Sequence, residues 1–235
     1  TIIKSGSDII AAGTIGPTSS DIVARWNGTS WAPIGDSFGG RVYNVAVYQG
    51  SLYAAGTFTS VGAQSCNRIA KWNGTQWQPV DVGVNGTILA MAVYNNELYV
   101  GGQFSTAGGP SSTALNIARW NGSFWSALSP DGVSGGNPVG VNSLYVWNNQ
   151  LFVGGAFDSA GGTVSRMVAR WGCPCYANCD NSTIAPVLNV NDYVCFLSSF
   201  VAGSPYANCD ASTTSQVLNI LDYTCFMSKF ASGCP

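Results

Sequence analysis

Residues 98–125 read LYVGGQFSTAGGPSSTALNIARWNGSFW, and this stretch decides how most of the chain is interpreted. It contains a short apolar run ending in two glycines, a second short run, and a tryptophan on each side of Asn121-Gly122. Short runs rich in aromatic and β-branched residues predict strands, and Asn-Gly between two runs predicts a tight hairpin because it tolerates positive φ at both positions. The stretch therefore predicts three consecutive antiparallel strands.

Similar stretches begin at Ile9, Leu52 and Leu151, and each later copy is preceded by a further predicted strand such as ILAMAVYNN. The shared tryptophans are spaced 46, 48 and 51 residues apart, at Trp26, Trp72, Trp120 and Trp171. Units of four antiparallel strands with a period of about 45 residues are typical of β-propeller blades. We expect a mainly β fold over residues 1–171, a β-propeller-like array of about four four-stranded blades.

The repeat L-Y-V-G-G-x-F…A-R-W-N-G-x-x-W resembles the kelch-like and galactose-oxidase-like propeller repeats. The resemblance covers nearly all of residues 1–171 and implies a propeller, but it implies no activity. The copper site of galactose oxidase includes histidines, and this chain has 0 histidines.

The last repeat stops at Trp171, so its fourth strand is missing and the last blade is expected to be incomplete. Three interpretations are open: a compact four-bladed ring with a weak seam, a fragment of a longer parent, or an open edge completed by a neighbouring subunit. The third follows because an unpaired strand edge is a template for pairing with another chain.

The charge content restricts the classes of partner. Only 9% of the residues are charged and the net charge is -2, so little electrostatic repulsion opposes self-association. With no basic patch, nucleic acid is not an expected partner, and no apolar run reaches the roughly 18 residues of a membrane span. The absence of histidine excludes histidine general bases and histidine-ligated metals in this chain.

Two sets of residues recur in the repeats, and each has two interpretations. The paired tryptophans either form a sugar-stacking surface or pack one blade against the next, and their recurrence favours packing. They are Trp26 with Trp31, Trp72 with Trp77, and Trp120 with Trp125. The cations before each shared tryptophan either form a ring around an axis or serve as structural charges, which we favour. They are Arg25, Lys71, Arg119 and Arg170.

After Trp171 the sequence changes, and residues 172–235 contain two similar copies, 176–203 and 206–233. Each copy has regularly spaced side-chain oxygens followed by apolar residues at helical spacing, and oxygen-rich loops suit calcium. We expect two calcium sites, each with two carboxylates. The candidate ligands are Asn178, Asp180, Ser182, Asn189 and Asp192 in the first copy, and Asn208, Asp210, Ser212, Asn219 and Asp222 in the second.

This duplication resembles dockerin type I, in which two calcium loops each precede a helix, and the cysteine-bearing tail is similar to those of secreted planctomycete-type bacterial proteins. The resemblance implies a small, disulfide-rich α-helical docking module. Each loop here is three residues longer, lacks the central glycine and begins with Asn. A metal-free pair of hairpins held by disulfides is the alternative.

Seven of the eight cysteines lie after residue 172, which indicates a disulfide framework in an oxidising compartment. Cys179 and Cys195 are 16 residues apart, as are Cys209 and Cys225, which suggests one local disulfide in each copy. Cys173–Cys234 would then join the ends of the module, and Cys66–Cys175 would attach it to the propeller. Zinc or iron–sulfur ligation is an alternative that the lack of histidine disfavours.

These observations favour a secreted, extracellular protein whose signal peptide has been removed. The acidic residues are scattered, so we expect no enzymatic activity and no catalytic residues. We expect a structural or adhesive protein that binds a protein partner or itself. The alternative is a glycan-binding, lectin-like propeller tethered by its tail.

Overall fold

The computed structural model describes residues 1–14, 20–129, 131–147, 150–171, 190–201 and 223–227. The chain divides into two compact units, Thr1–Trp171 and Gly172–Pro235, and the division falls where the tryptophan repeats stop. The described residues are mainly β, and none of their helices is long and apolar enough to cross a membrane.

Four antiparallel sheets, one from each repeat, form most of the first unit. Sheet 1 contains β1 (Ile2–Ser5), β2 (Asp8–Gly13), β3 (Ile22–Trp26) and β4 (Trp31–Pro33). Sheet 2 contains β5 (Val42–Tyr48), β6 (Ser51–Gly56), β9 (Ile69–Trp72) and β10 (Trp77–Pro79). Sheet 3 contains β11 (Thr87–Tyr94), β12 (Glu97–Gln103), β13 (Ile117–Trp120) and β14 (Trp125–Ala127). Sheet 4 contains β16 (Gly140–Trp147), β17 (Gln150–Ala156) and β20 (Val168–Trp171).

The remaining strands are two residues long and lie in the connections. They are β7 (Ser60–Val61), β8 (Gln64–Ser65), β15 (Val133–Ser134), β18 (Ser159–Ala160) and β19 (Thr163–Val164). The segment leading into each new repeat pairs with the loop after the second strand of that repeat, at Phe38↔Val61, Val84↔Ala107 and Val133↔Ala160. These bridges fasten each connection to the sheet that follows it.

The predicted four-stranded antiparallel unit is confirmed in sheets 1 to 3, and the last sheet has three strands among the described residues. The described residues form several small antiparallel sheets and no closed barrel or propeller. The propeller therefore stays a prediction.

The predicted hairpin between the third and fourth strands is present, but its turn differs from the expected one with positive φ at both Asn and Gly. Trp26 pairs with Trp31, so four residues form the loop, and the Asn27 side-chain oxygen accepts hydrogen bonds from the backbone N–H groups of Thr29 and Ser30 at 2.9 Å. Gly28 has a φ of 100°, whereas Asn27 is not in the left-handed region. Asn27 thus acts through its side chain, as asparagine does in Asx turns. The turn with two left-handed central residues lies instead between the first and second strands, at Asn95-Asn96.

A glycine at or next to the end of the second strand is required by close backbone packing. The first strand of sheets 2, 3 and 4 contains a register shift, for example between Ile88 and Ala90. A Cβ on Gly102 would collide with the backbone carbonyl oxygen of Thr87, and Gly56 and Gly155 meet the equivalent backbone in their sheets. β-Bulges commonly require such close approach, which explains the glycine of the repeat in physical terms.

Consecutive sheets pack face to face, and the cores lie between them. We call the face of a sheet toward the next sheet in the chain its forward face, and the opposite face its rear face. Between sheets 2 and 3, Tyr48 and Tyr53 of the forward face pack with Leu98, Trp120 and Trp125 of the rear face. Equivalent apolar clusters lie between sheets 1 and 2 and between sheets 3 and 4. Each sheet therefore uses both faces, unless it lies at an end of the stack.

In the second unit, the described residues form helix α1 (Val190–Val201) and a helical segment at residues 223–227. The helix predicted from the spacing of Tyr193, Phe196, Leu197 and Phe200 is present as α1. Phe196 and Phe226 are fully buried and stack with ring centroids 4.1 Å apart, which joins the equivalent positions of the two sequence copies. The dockerin-like arrangement as a whole stays a prediction.

Candidate functional site

The tryptophan pairs of the inner sheets serve in packing. Trp72 and Trp77 lie on neighbouring strands with ring centroids 5.5 Å apart, and the equivalent pair in sheet 3 is 5.3 Å apart. The indole N–H of Trp77 donates to the backbone carbonyl of Ile34 in the previous repeat at 2.7 Å, and that of Trp125 donates to Val80 at 3.4 Å. Trp77, Trp120 and Trp125 are buried, so the packing interpretation is confirmed for these three.

The recurring cations bind groups of their own sheet and do not converge on one point. Arg25 lies 3.2 Å from Asp8, Arg119 lies 3.0 Å from Glu97, and the ammonium of Lys71 lies 5.8 Å from the centre of the Tyr53 ring. These three are structural charges, as favoured above. The fourth, Arg170, is exposed on sheet 4.

Glu97 also accepts a hydrogen bond from the Tyr99 hydroxyl at 3.3 Å. Burial, reinforced by the negative charge of Glu97, raises the pKa of Tyr99 to about 12. The phenol therefore stays protonated and acts as a hydrogen-bond donor within the packed face of sheet 3.

Two buried polar residues connect one repeat to the next, and the sequence interpretation did not identify their role. The Asp21 carboxylate accepts from the backbone N–H of Val42 at 2.8 Å and from the Thr14 hydroxyl at 2.8 Å. At the equivalent position of the third repeat, the Asn116 amide donates to the backbone carbonyl of Val133 at 2.9 Å. Both residues directly precede the third strand, so a polar residue before I-V-A-R-W or I-A-R-W was the signal available in the sequence.

Of the ten predicted calcium ligands, Asp192 alone lies among the described residues. It is buried in the first turn of α1, where a helix N-terminus favours a carboxylate. The other nine lie outside the described residues, and no group of three or more His, Cys, Asp or Glu residues suited to a metal is found within the described part of the chain. The calcium sites stay a prediction.

The predicted Cys66–Cys175 disulfide is wrong, because Cys66 is a free thiol. Cys66 is fully buried in the apolar cluster between sheets 1 and 2, so its sulfur is sealed from other segments, and burial raises the pKa of the thiol. Cys195 and Cys225 each take part in a disulfide bond, as the prediction of one bond in each copy requires. The remaining candidates, Cys173, Cys175, Cys179, Cys209 and Cys234, lie outside the described residues, so the other pairings stay predictions.

Apolar side chains are exposed on both end faces of the stack. On the forward face of sheet 4, Tyr145 is 66% exposed and Trp147 is 61% exposed. On the rear face of sheet 1, Ile2 is 69% exposed, Ile9 is 41% exposed and Trp31 is 38% exposed. In addition, β20 is the outer strand of a three-stranded sheet, so one of its edges pairs with no strand among the described residues.

No protein-family model matches this chain, and no curated protein is similar to it at a significant level. Its function is therefore inferred from its residues and their geometry.

Proposed function

We propose that this chain is a non-enzymatic, extracellular structural or adhesive protein that assembles with copies of itself. Its body is a kelch-like array of β-sheet blades, and its C-terminal unit is a calcium-binding docking tail. The observation that carries the proposal is the outer edge of β20, which has no strand beside it among the described residues, whereas the equivalent strand of every other sheet is paired on both sides. Such an edge accepts an added strand through backbone hydrogen bonds.

The side chains of the repeats support a structural role. Trp77, Trp125 and Arg119, the types of residue that would contact a ligand, are bound within the stack instead. With 9% charged residues, the surface offers little electrostatic opposition to the contact of two copies.

A peptide with the sequence of residues 123–129, SFWSALS, tests the edge because it contains β14, a fourth strand that has no equivalent in the last sheet among the described residues. Sedimentation of the full chain should show assemblies that grow with concentration, and the peptide should shift them toward monomers. A scrambled peptide of the same composition should have no effect. Compact monomers at every concentration, with and without calcium, would contradict self-assembly.

Calcium binding has its own test, independent of assembly. Titration calorimetry of the full chain should detect two sites, and Asp192→Asn should weaken one of them by at least about tenfold because a buried carboxylate ligand is lost. Asp36→Asn, which changes an exposed carboxylate of the first unit, is the matched control and should leave both sites unchanged. Heat of binding equal in all three proteins would show that Asp192 is not a ligand.

Glycan binding is a second candidate, restricted by the burial of the inner tryptophans to the Trp26–Trp31 pair of sheet 1. These rings lie 5.4 Å apart, and Trp31 is 38% exposed. A glycan array should then give hits that Trp31→Ala abolishes. An array without hits would remove this candidate.

A further inference from the structure

The end faces of the stack correspond to the two halves of an interface that the first unit forms three times internally. Strand register defines the correspondence: Trp147 pairs with Gln150 as Tyr48 pairs with Ser51, so Trp147 of sheet 4 holds the position of Tyr48 in sheet 2. Tyr48 is 1% exposed because sheet 3 covers it, whereas Trp147 is 61% exposed. The forward face of sheet 4 is thus built like faces that are covered elsewhere in the same unit.

A second aromatic residue extends this correspondence. Phe152 of sheet 4 holds the position of Tyr53 and Tyr99, and it lies 6.3 Å from Trp147 between ring centroids. The Tyr48–Tyr53 pair of sheet 2 has the same cross-strand arrangement at 5.7 Å. In sheets 2 and 3 an aromatic pair of this kind faces the next sheet, whereas Ser5 and Ile10 hold the two positions in sheet 1.

The rear face of sheet 1 corresponds in the same way to the rear faces of sheets 2 and 3. Ile9 pairs with Trp26 as Leu98 pairs with Trp120, so Ile9 holds the position of Leu98. Leu98 is 0% exposed and Ile9 is 41% exposed. Ile2 holds the position of Met91 by the same register and is 69% exposed against 7% for Met91.

Each end face carries an exposed cation, Lys4 on the rear face of sheet 1 and Arg170 on the forward face of sheet 4. Arg170 on sheet 4 holds the position of Lys71 and Arg119, which lie within the packed stack beside a tyrosine ring and a glutamate respectively. Lys4 pairs with Ile9 and so holds the position of Val47 and Val93, which stay 38% and 40% exposed in the inner sheets, so the contact leaves its ammonium in water. Apolar area removed from water then favours contact.

We propose that a second copy of this chain docks head to tail on the first, with the rear face of its sheet 1 covering the forward face of sheet 4. This inference rests on the proposed self-assembly and assigns it a contact surface other than the outer edge of β20. The contact continues the sheet-on-sheet packing that already joins sheets 1 to 4. In that packing Tyr48 donates a hydrogen bond to the backbone carbonyl of Asn96 in the next sheet at 3.0 Å. Trp147 is placed to donate in the same way to the equivalent turn of the second copy, at Ser7.

Such a contact is heterologous, because two different surfaces meet, and it therefore propagates or closes into a ring. A complementation experiment with the full chain separates it from a symmetric contact. Trp147→Glu disables the forward face of sheet 4, and Ile9→Glu disables the rear face of sheet 1. Each variant alone should sediment as a monomer, with self-association weakened about 30-fold or more, as for a central interface residue. An equimolar mixture should form a dimer of twice 24.5 kDa, because each variant retains one intact face.

Phe124→Glu is the matched control, since Phe124 is 59% exposed at a hairpin turn away from both end faces, and this variant should assemble like the wild type. Thermal unfolding of each variant checks that the fold is kept. Homodimers of Ile9→Glu alone would overturn the head-to-tail contact. Full assembly of both variants, blocked by the SFWSALS peptide, would overturn it while leaving the proposed function in place. Monomeric wild-type protein would overturn both.

Discussion

Trp31 and Trp77 hold the same position in two consecutive repeats, yet Trp31 is 38% exposed and Trp77 is 3% exposed. The local sequence is nearly the same around both, and each ring lies tilted against a neighbouring tryptophan, with ring centroids 5.4 to 5.5 Å apart. The difference is that Trp77 has a preceding sheet whose Ile34 carbonyl accepts its indole N–H. The burial of this tryptophan is thus set by the position of its sheet in the stack, and sheet 1 has the same residue at this position although no sheet precedes it among the described residues.

The sharpest test of this comparison is to remove each indole. Trp77→Ala should lower the free energy of unfolding by about 3–5 kcal/mol, because it leaves a cavity between sheets 1 and 2 and an unpaired carbonyl. Trp31→Ala should cost about 1–2 kcal/mol, because its ring is covered on one side. Denaturant unfolding at low protein concentration measures both. Equal losses would show that sheet 1 is covered as sheet 2 is.

A smaller loss of stability is expected at the position before the third strand, where a buried asparagine in the third repeat corresponds to an exposed methionine in the fourth. Asn116 and Met167 both precede the third strand and have nearly equal φ values of 63° and 65°, but Met167 is 68% exposed. Asn116→Ala should destabilise by about 2–3 kcal/mol, because the buried Val133 carbonyl loses its donor.

Met167→Ala is the matched variant, since any cost of alanine at positive φ is common to both, and it should change stability by about 0.5 kcal/mol or less. The difference between the two variants isolates the hydrogen bonds of Asn116. A difference near zero would mean that the connection to Val133 does not hold the fourth repeat in place.

The strands of the repeats could be predicted because each carries its own local pattern: apolar alternation, a glycine at the bulge, and a tight turn. The predicted turn type at Asn27-Gly28 was wrong, because an asparagine side chain bonded to the backbone leaves the same sequence signature as a left-handed asparagine. The role of Cys66 was also misassigned, since its burial depends on contacts between two sheets that no local pattern records.

The surfaces proposed for assembly, which are the outer edge of β20 and the two end faces, could be predicted only in part. The end of the repeat pattern at Trp171 predicted that the last sheet would have no fourth strand, and none pairs with β20 among the described residues. The exposure of Tyr145 and Trp147 could not be predicted, because their equivalents Ala46 and Tyr48 lie against a neighbouring sheet and the sequence does not say which sheets have two neighbours. An end face is a property of the whole stack.

The smallest expected effect on stability comes from ionisation, at high pH, of tyrosines on the forward faces of the inner sheets. Tyr99 of sheet 3 is 3% exposed, and its pKa rises from the ordinary 10.0 to about 12, whereas Phe152 at the same position in sheet 4 cannot ionise. Because the unfolded chain releases the phenol proton first, the stabilisation is complete below pH 10 and is lost as pH rises toward 12. The loss from this residue should be about 1–2 kcal/mol, discounted for partial solvent screening.

Tyr99→Phe should flatten that decline when unfolding free energy is measured from neutral pH upward. Tyr53 holds the same position in sheet 2, and burial also raises its pKa. Tyr53→Phe should therefore also flatten the decline of unfolding free energy at high pH, and the double variant should flatten it further. If the dependence of unfolding free energy on pH were unchanged in the double variant, the two phenols would be as exposed to solvent as residues of an end face. Retention of the full decline would therefore contradict the sheet-against-sheet burial on which the comparison of inner and end faces depends.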